Sequence, residues 1–184
     1  DKKGPSNISR ETPELPNGKY NLIYADPPWR YEFSETDSRK VENHYPTMEL
    51  EDILELPVSD IAADDCVLFM WATSPKLTDA VSVIEAWGFK YRTSAIWVKP
   101  QLGMGYYFRQ QHELFLVAIK GSPGVPEPAF RVRSVMEFPR TKYSLKPKKY
   151  YEIIEQMYPD SKRIELFCRE PRKGWSAWGN QVAA

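Results

Sequence analysis

The chain has 184 residues, 42% of them apolar and 27% charged, which suits one soluble globular domain and excludes a disordered chain. Lys plus Arg number 25 and Asp plus Glu number 25, so binding to nucleic acid by bulk charge is excluded while a local basic face is not. No apolar run approaches the ~20 residues of a membrane span, and no charged-then-apolar leader opens the chain. Cys66 and Cys168 both sit in apolar, strand-like runs. That setting predicts reduced core thiols, no structural zinc or other metal, and a cytoplasmic location.

In chain order, residues 1–18 are rich in Pro, Asn, Ser and charge without an apolar period and read as a flexible arm, leaving 19–184 as the folded domain. YNLIYA (20–25) predicts a buried strand that stops abruptly at Asp26-Pro27-Pro28. The polar stretch from Trp29 to Thr47 reads as a lid or binding loop. MELEDILEL (48–56) has helical spacing and ends at Pro57. CVLFMWA (66–72) is a second strand. A helix follows, with Ser74 as N-cap, Pro75 in its first turn, a stripe of Leu77, Val81, Ile84 and Trp87, and a stop at Gly88. RTSAIWV (92–98) and ELFLVAIKG (113–121) are strands flanking a Gly- and aromatic-bearing loop, and VMEF (135–138) is an edge strand. Pro147 opens a helix with Tyr150, Ile153, Ile154 and Met157 on one face. RIELFC (163–168) is the last strand expected. Strands alternating with helices predict a single-domain α/β fold with a mostly parallel sheet, whose ligands bind beyond the carboxyl ends of the strands, where Asp26 and Arg169 fall.

Asp26-Pro27-Pro28-Trp29 is the most informative motif. Two prolines fix two φ angles and remove two N–H donors, which leaves the Asp26 carboxylate and the carbonyls of Asp26 and Pro27 as acceptors beside an indole. Such a corner suits a planar ring bearing an amino group: the indole takes the ring face and the acceptors take the N–H donors. An exocyclic aromatic amine is a weak nucleophile, and acceptors that hold its hydrogens favour a localised lone pair and stabilise positive charge developing on nitrogen. By itself, Pro-Pro-Trp is also what a strand-terminating turn with a core Trp looks like.

With the rest of the chain, the motif resembles the amino methyltransferases, and within them the MT-A70 family of adenine N6-methyltransferases. The resemblance spans about Lys19 to Val182 and rests on His44-Tyr45-Pro46-Thr47-Met48, Phe69-Met70-Trp71, Ile96-Trp97-Val98-Lys99, His112-Glu113-Leu114, Lys146-Pro147, Ile164-Glu165-Leu166-Phe167 with Arg169, and Trp178-Gly179-Asn180-Gln181. It implies a Rossmann-like methyltransferase sheet with permuted motif order, the target-base motif early and the cofactor strand late. It implies S-adenosylmethionine as cofactor and adenine in nucleic acid as substrate, DNA before RNA. It implies catalytic roles for Asp26, Pro27, Pro28 and Trp29, and cofactor contacts for Asp26, Lys146, Glu165, Arg169, Asn180 and Gln181. Trp29 would stack on the base, Tyr45 either stacks on it or packs in the lid, and Arg140 with its neighbouring basic residues forms either a phosphate-facing rim or scattered solvated charges. The chain departs from its relatives in offering no acidic strand within residues 1–18, in Tyr143-Ser144 before Lys146-Pro147, and in Glu170-Pro171-Arg172 after Arg169. A non-catalytic binding subunit and a protein-amide methyltransferase are rivals that the intact Asp26 and Trp29 disfavour. Assembly is left open between a chain that works alone, a homodimer and pairing with a specificity subunit.

Overall fold

The structure is a computed structural model and describes residues 12–31 and 47–180. Among these, seven strands form one sheet: β1 (Tyr20–Ala25), β2 (Ala62–Ala72), β3 (Lys90–Val98), β4 (His112–Lys120), β5 (Val135–Glu137), β6 (Arg163–Leu166) and β7 (Trp175–Trp178). Their order is β5-β3-β4-β2-β1-β6-β7. Pairing is parallel between β1 and β2, β1 and β6, β6 and β7, and β3 and β5, whereas β4 is antiparallel to both β2 and β3. The sheet is therefore mostly parallel with β4 alone reversed, and the α/β expectation holds.

Side chains alternate across the sheet with the period of two that a strand imposes. Ile23, Ala25, Leu68, Met70 and Ala72 face one core, shared with α1 (Leu50–Glu55) and α2 (Leu77–Ala86). Leu22, Tyr24, Val67, Phe69 and Trp71 face the other, closed by α3 (Lys149–Met157) through Tyr150, Ile153 and Ile154. Helices cover both faces, which is why the central strands read as continuous apolar runs. Trp87 fastens α2 to α1 by donating its indole N–H to the Ile53 carbonyl at 2.9 Å. Its ring is fully buried, and truncation to Ala at such a position costs about 3–5 kcal/mol.

Gly88 ends α2 as expected, with φ +88°. Its N–H donates to the Glu85 carbonyl and the Phe89 N–H to Ile84, the paired bonds of a Schellman cap. The other end differs. Ser74 to Lys76 form a 3-10 turn without a side-chain cap, and the Ser74 hydroxyl lies 3.0 Å from His112 Nε2. A partner on β4 has taken the hydroxyl that local sequence assigned to capping. Residues 12–18 precede the sheet without regular structure, yet the Trp178 indole donates to the carbonyls of Pro13 and Glu14, both at 3.1 Å, and Leu15 packs on the core. Cys66 and Cys168 are buried and unpaired, and burial pushes both thiols up to about 12. No described helix is long and apolar enough to cross a membrane.

Candidate active site

The carboxyl ends of β1, β2, β6 and β7 open on one rim of the sheet, and reversed β4 begins there. A cleft of about 900 Å3 occupies that rim, lined by Asp26 to Tyr31, Trp71 to Thr73, Glu113, Lys146, Arg169, and Trp178 to Asn180 among others. A second cavity of about 420 Å3 adjoins it, with Tyr24, Tyr151, Glu165 and Arg172 in its wall; Asp26, Lys146, Phe167 and Arg169 border both. Both volumes fall within the range of about 300–1,000 Å3 typical of small-molecule sites.

Asp26-Pro27-Pro28-Trp29 turns the chain off β1 into the larger cleft. The Trp29 N–H donates to the Pro27 carbonyl at 2.9 Å, closing a γ-turn around Pro28, and the Pro28 carbonyl accepts the Met48 N–H at 3.1 Å. The corner is thus less open than a bare set of acceptors. Pro27 keeps one lone pair for a ligand, and the Asp26 carboxylate keeps most of its acceptor capacity. The Trp29 indole donates to the Trp71 carbonyl at 3.1 Å, so it presents ring surface, not its N–H, to the cleft. Tyr31 is tied to Thr73 across the cleft by a hydroxyl contact of 2.5 Å.

Charge in the cleft is arranged around Lys146. Its ammonium donates to Glu113 Oε1 at 2.9 Å and lies 3.5 Å from Asp26 Oδ2, while Lys99 holds Glu113 Oε2 at 2.7 Å. Two cations thus balance two carboxylates. Burial raises Asp26 above the ordinary carboxylate range; Lys146 counters this in part, and Glu113 adds to it. Glu113 is buried too, which would raise it, but Lys146 and Lys99 together hold it below its usual value. Lys146 is raised although burial opposes its charge, because Asp26 and Glu113 flank it. Asp26 is thus shifted up and Glu113 down, and Asp26, which borders both cavities, is the one placed to accept hydrogens from a ligand.

The remaining expected residues are distributed around this cluster. Glu165 lies beside Tyr24 in the β1–β6 register and accepts the Tyr151 hydroxyl at 2.6 Å; burial raises its carboxyl, which that bond partly offsets. Arg169 donates to the carbonyls of Tyr143 and Ser144 at 2.7 and 2.9 Å, holding two residues whose φ angles are 59° and 57°. Its guanidinium thus shapes the loop before Lys146 as well as bordering both cavities. Asn180 lines the larger cleft. Gly179 lies so close to the chain after β6 that a Cβ there would meet the Cys168 carbonyl at 2.8 Å. Arg140 is exposed beside Gly103 and belongs to neither cavity wall. Tyr45 and Gln181 lie outside the described residues, as does most of the stretch read as a lid.

Glu113 and Lys99 were not among the expected site residues, and Glu113 is central. The sequence signal was available: Glu113 is an acid at the head of the apolar run ELFLVAI, where a buried carboxylate needs a cation. Trp71 is the other addition. It forms cleft wall, accepts Trp29 through its carbonyl and donates its own indole N–H to the Tyr24 hydroxyl at 2.7 Å.

Comparison with known proteins agrees with this geometry. The MT-A70 family model matches residues 20–181. The type II methyltransferase M.MunI from Mycoplasma sp is 37% identical over 188 residues, covering 92% of this chain and 81% of that protein. An N(6)-adenosine-methyltransferase MT-A70-like protein of Arabidopsis thaliana is 30% identical, and the human N(6)-adenosine-methyltransferase catalytic subunit METTL3 is 28% identical, each over 90% of this chain. The chain spans only 24% and 28% of the length of those two proteins. A match across nearly the whole sheet, including both the Asp-Pro-Pro-Trp corner and the late Glu165 strand, establishes that the chain belongs to the MT-A70 family.

Proposed function

We propose that this chain methylates the exocyclic N6 amine of adenine in nucleic acid, with DNA as the substrate and S-adenosylmethionine as the methyl donor. The observation that carries the reading is the position of the Asp26 corner. It lines a cleft large enough for a purine and stands at the border with the second cavity. Methylation needs an acceptor base and a methyl donor brought together at one acid, and two cavities meeting at Asp26 supply that arrangement.

The donor set suits the cofactor. Glu165, a buried acid at the end of a parallel strand, is placed to accept ribose hydroxyls; Lys146 and Arg169 are suited to a carboxylate; Asn180 offers an amide edge to sugar and adenine. When bound, S-adenosylmethionine supplies an electrophilic methyl group on a sulfonium. The residues of the corner do the rest. The Asp26 carboxylate and the Pro27 carbonyl accept the two amine hydrogens, and the Trp29 ring, pinned by Trp71, covers the base. Lys146 holds Asp26 in place, and the proton lost from nitrogen after transfer passes toward the Asp26 carboxylate, whose affinity for it burial has raised. Positioning and electrostatics account for the chemistry without a covalent enzyme adduct.

Methyl-label transfer to matched single-stranded DNA, duplex DNA and RNA tests this, with Asp26→Ala alongside. Label in N6-methyladenine of DNA, lost in the variant while its circular dichroism persists, is the expected result. Label confined to RNA would move the substrate. Cofactor binding without transfer to any nucleic acid would replace the enzyme by a binding subunit.

A further inference from the structure

We infer that the loop between β3 and β4 is an aromatic finger that stacks on nucleic-acid bases flanking the target, an assignment that rests on the nucleic-acid reading above. The loop leaves the sheet at Val98 and returns at His112, on the rim that holds Asp26. Its first residue, Lys99, is ion-paired to Glu113 of the catalytic cluster at 2.7 Å.

The stem is built. Lys99 N–H donates to the Gln111 carbonyl at 2.7 Å, Gly103 N–H to Gln110 at 2.8 Å, and Gln110 N–H to Met104 at 3.3 Å. A Cβ at Gly103 would stand 2.6 Å from the Gln110 carbonyl, and one at Gly105 would run into the Phe108 carbonyl, so the two sides approach as only glycine permits. Beyond this pinned stem three tip side chains stand in solvent: Met104 is 72% exposed, Phe108 78% and Tyr107 96%. A protein that buries Trp71 and Trp87 completely has sent the most exposed rings among its described residues out together on a braced support.

Charge selects the occupant. No Asp or Glu occurs between Lys99 and His112, and residues 99–149 hold ten Lys and Arg against three Glu in a chain whose totals cancel. Arg109 braces the loop through the Gly103 carbonyl at 3.4 Å, and the Arg140 guanidinium approaches the same glycine. Exposed flat rings on a loop that carries no acid, within a stretch of chain rich in Lys and Arg, complement a polyanion that displays flat faces. An enzyme that draws adenine out of a stack also leaves neighbours that an inserted ring can support. Arg140, absent from both cavity walls, fits here as a phosphate contact at the foot of the finger.

The test compares wild type with Tyr107→Ala/Phe108→Ala, which removes two exposed rings and leaves the cleft intact. Anisotropy of fluorescein-labelled random-sequence DNA reads binding, photocrosslinking to 5-iodouracil DNA with peptide mapping reads contact, and sedimentation reads assembly. The expected result is a loss of affinity of about ten-fold or more, with unchanged cofactor affinity, crosslinks mapping to 104–108, and restoration by Tyr107→Trp/Phe108→Trp. Unchanged DNA affinity in a wild type that methylates DNA would overturn the finger alone. So would a loss of affinity that tracks dissociation of a dimer, making the loop a protein interface. DNA binding that depends on the rings, in a wild type that transfers no methyl group, would uphold the finger and overturn the enzymatic reading instead.

Discussion

Glu113→Gln separates the electrostatic account of the site from a purely steric one. Glu113 is 7% exposed and bridges two ammonium groups, Lys99 at 2.7 Å and Lys146 at 2.9 Å. Removing one member of a buried pair costs about 3–5 kcal/mol because the partner is left uncompensated. Here Asp26 remains 3.5 Å from Lys146 and glutamine keeps a hydrogen-bond acceptor, so the low end, about 3 kcal/mol, applies. In a domain of this size that corresponds to a Tm lowered by roughly 6–12 °C, read by circular dichroism at pH 7. The pH dependence carries a sign. Glu113 is held below its unfolded value, so its contribution is complete above the ordinary carboxylate range and fades as pH falls through the folded value; the Tm gap between wild type and variant closes on acidification. Activity shifts as well. Glu113 helps to raise Asp26, and without it Lys146 answers to Asp26 alone, so the acid limb of the methyl-transfer profile moves to lower pH. An unchanged Tm, or an acid limb moving to higher pH, would refute the shared-lysine arrangement.

Asp26→Asn trades function for stability: methyl transfer falls by about a hundred-fold or more. Because burial raises Asp26, its ionised form disfavours the fold above the folded pKa; the variant therefore melts higher than wild type at pH 7, and the gain shrinks as pH falls into the carboxylate range. Gly179→Ala places a methyl group 2.8 Å and 2.9 Å from the Cys168 backbone, which lowers stability by about 1–3 kcal/mol and weakens cofactor binding measured by calorimetry.

Much of this arrangement was legible because it is local. YNLIYA, CVLFMWA and RTSAIWV are apolar runs bounded by turn residues, and each became the core of a strand, although β2 starts earlier, at Ala62, through the exposed Asp64 and Asp65. β7 went unrecognised: WSAW is four residues long, too short for alternation to register, and only pairing with β6 makes it a strand. The α3 stripe was read correctly, but the helix starts at Lys149, after Pro147 and Lys148 form its entry turn. Asp26, Lys146 and Glu165 were visible as a family order of motifs. The Lys99–Glu113–Lys146 chain was not, since it joins three residues that only the β3–β4 register and the entry to α3 bring together. Ser74 shows the same limit, where a tertiary partner outcompeted the cap.

The reversal of β4 has a consequence for how this protein could diversify. Were every strand to run the same way, the reactive edge would meet only departing chain, and each connection would have to travel to the far side of the sheet before returning. Because β4 runs back, β3 and β4 leave and rejoin that edge as neighbours, paired from Lys90 with Ile119 to Val98 with His112. The intervening segment can lengthen, shorten or change composition while Lys99 and Glu113 stay fixed by the ladder beneath them. The surface that flanks the cleft can therefore evolve on an appendage, apart from the charge arrangement fixed at its root.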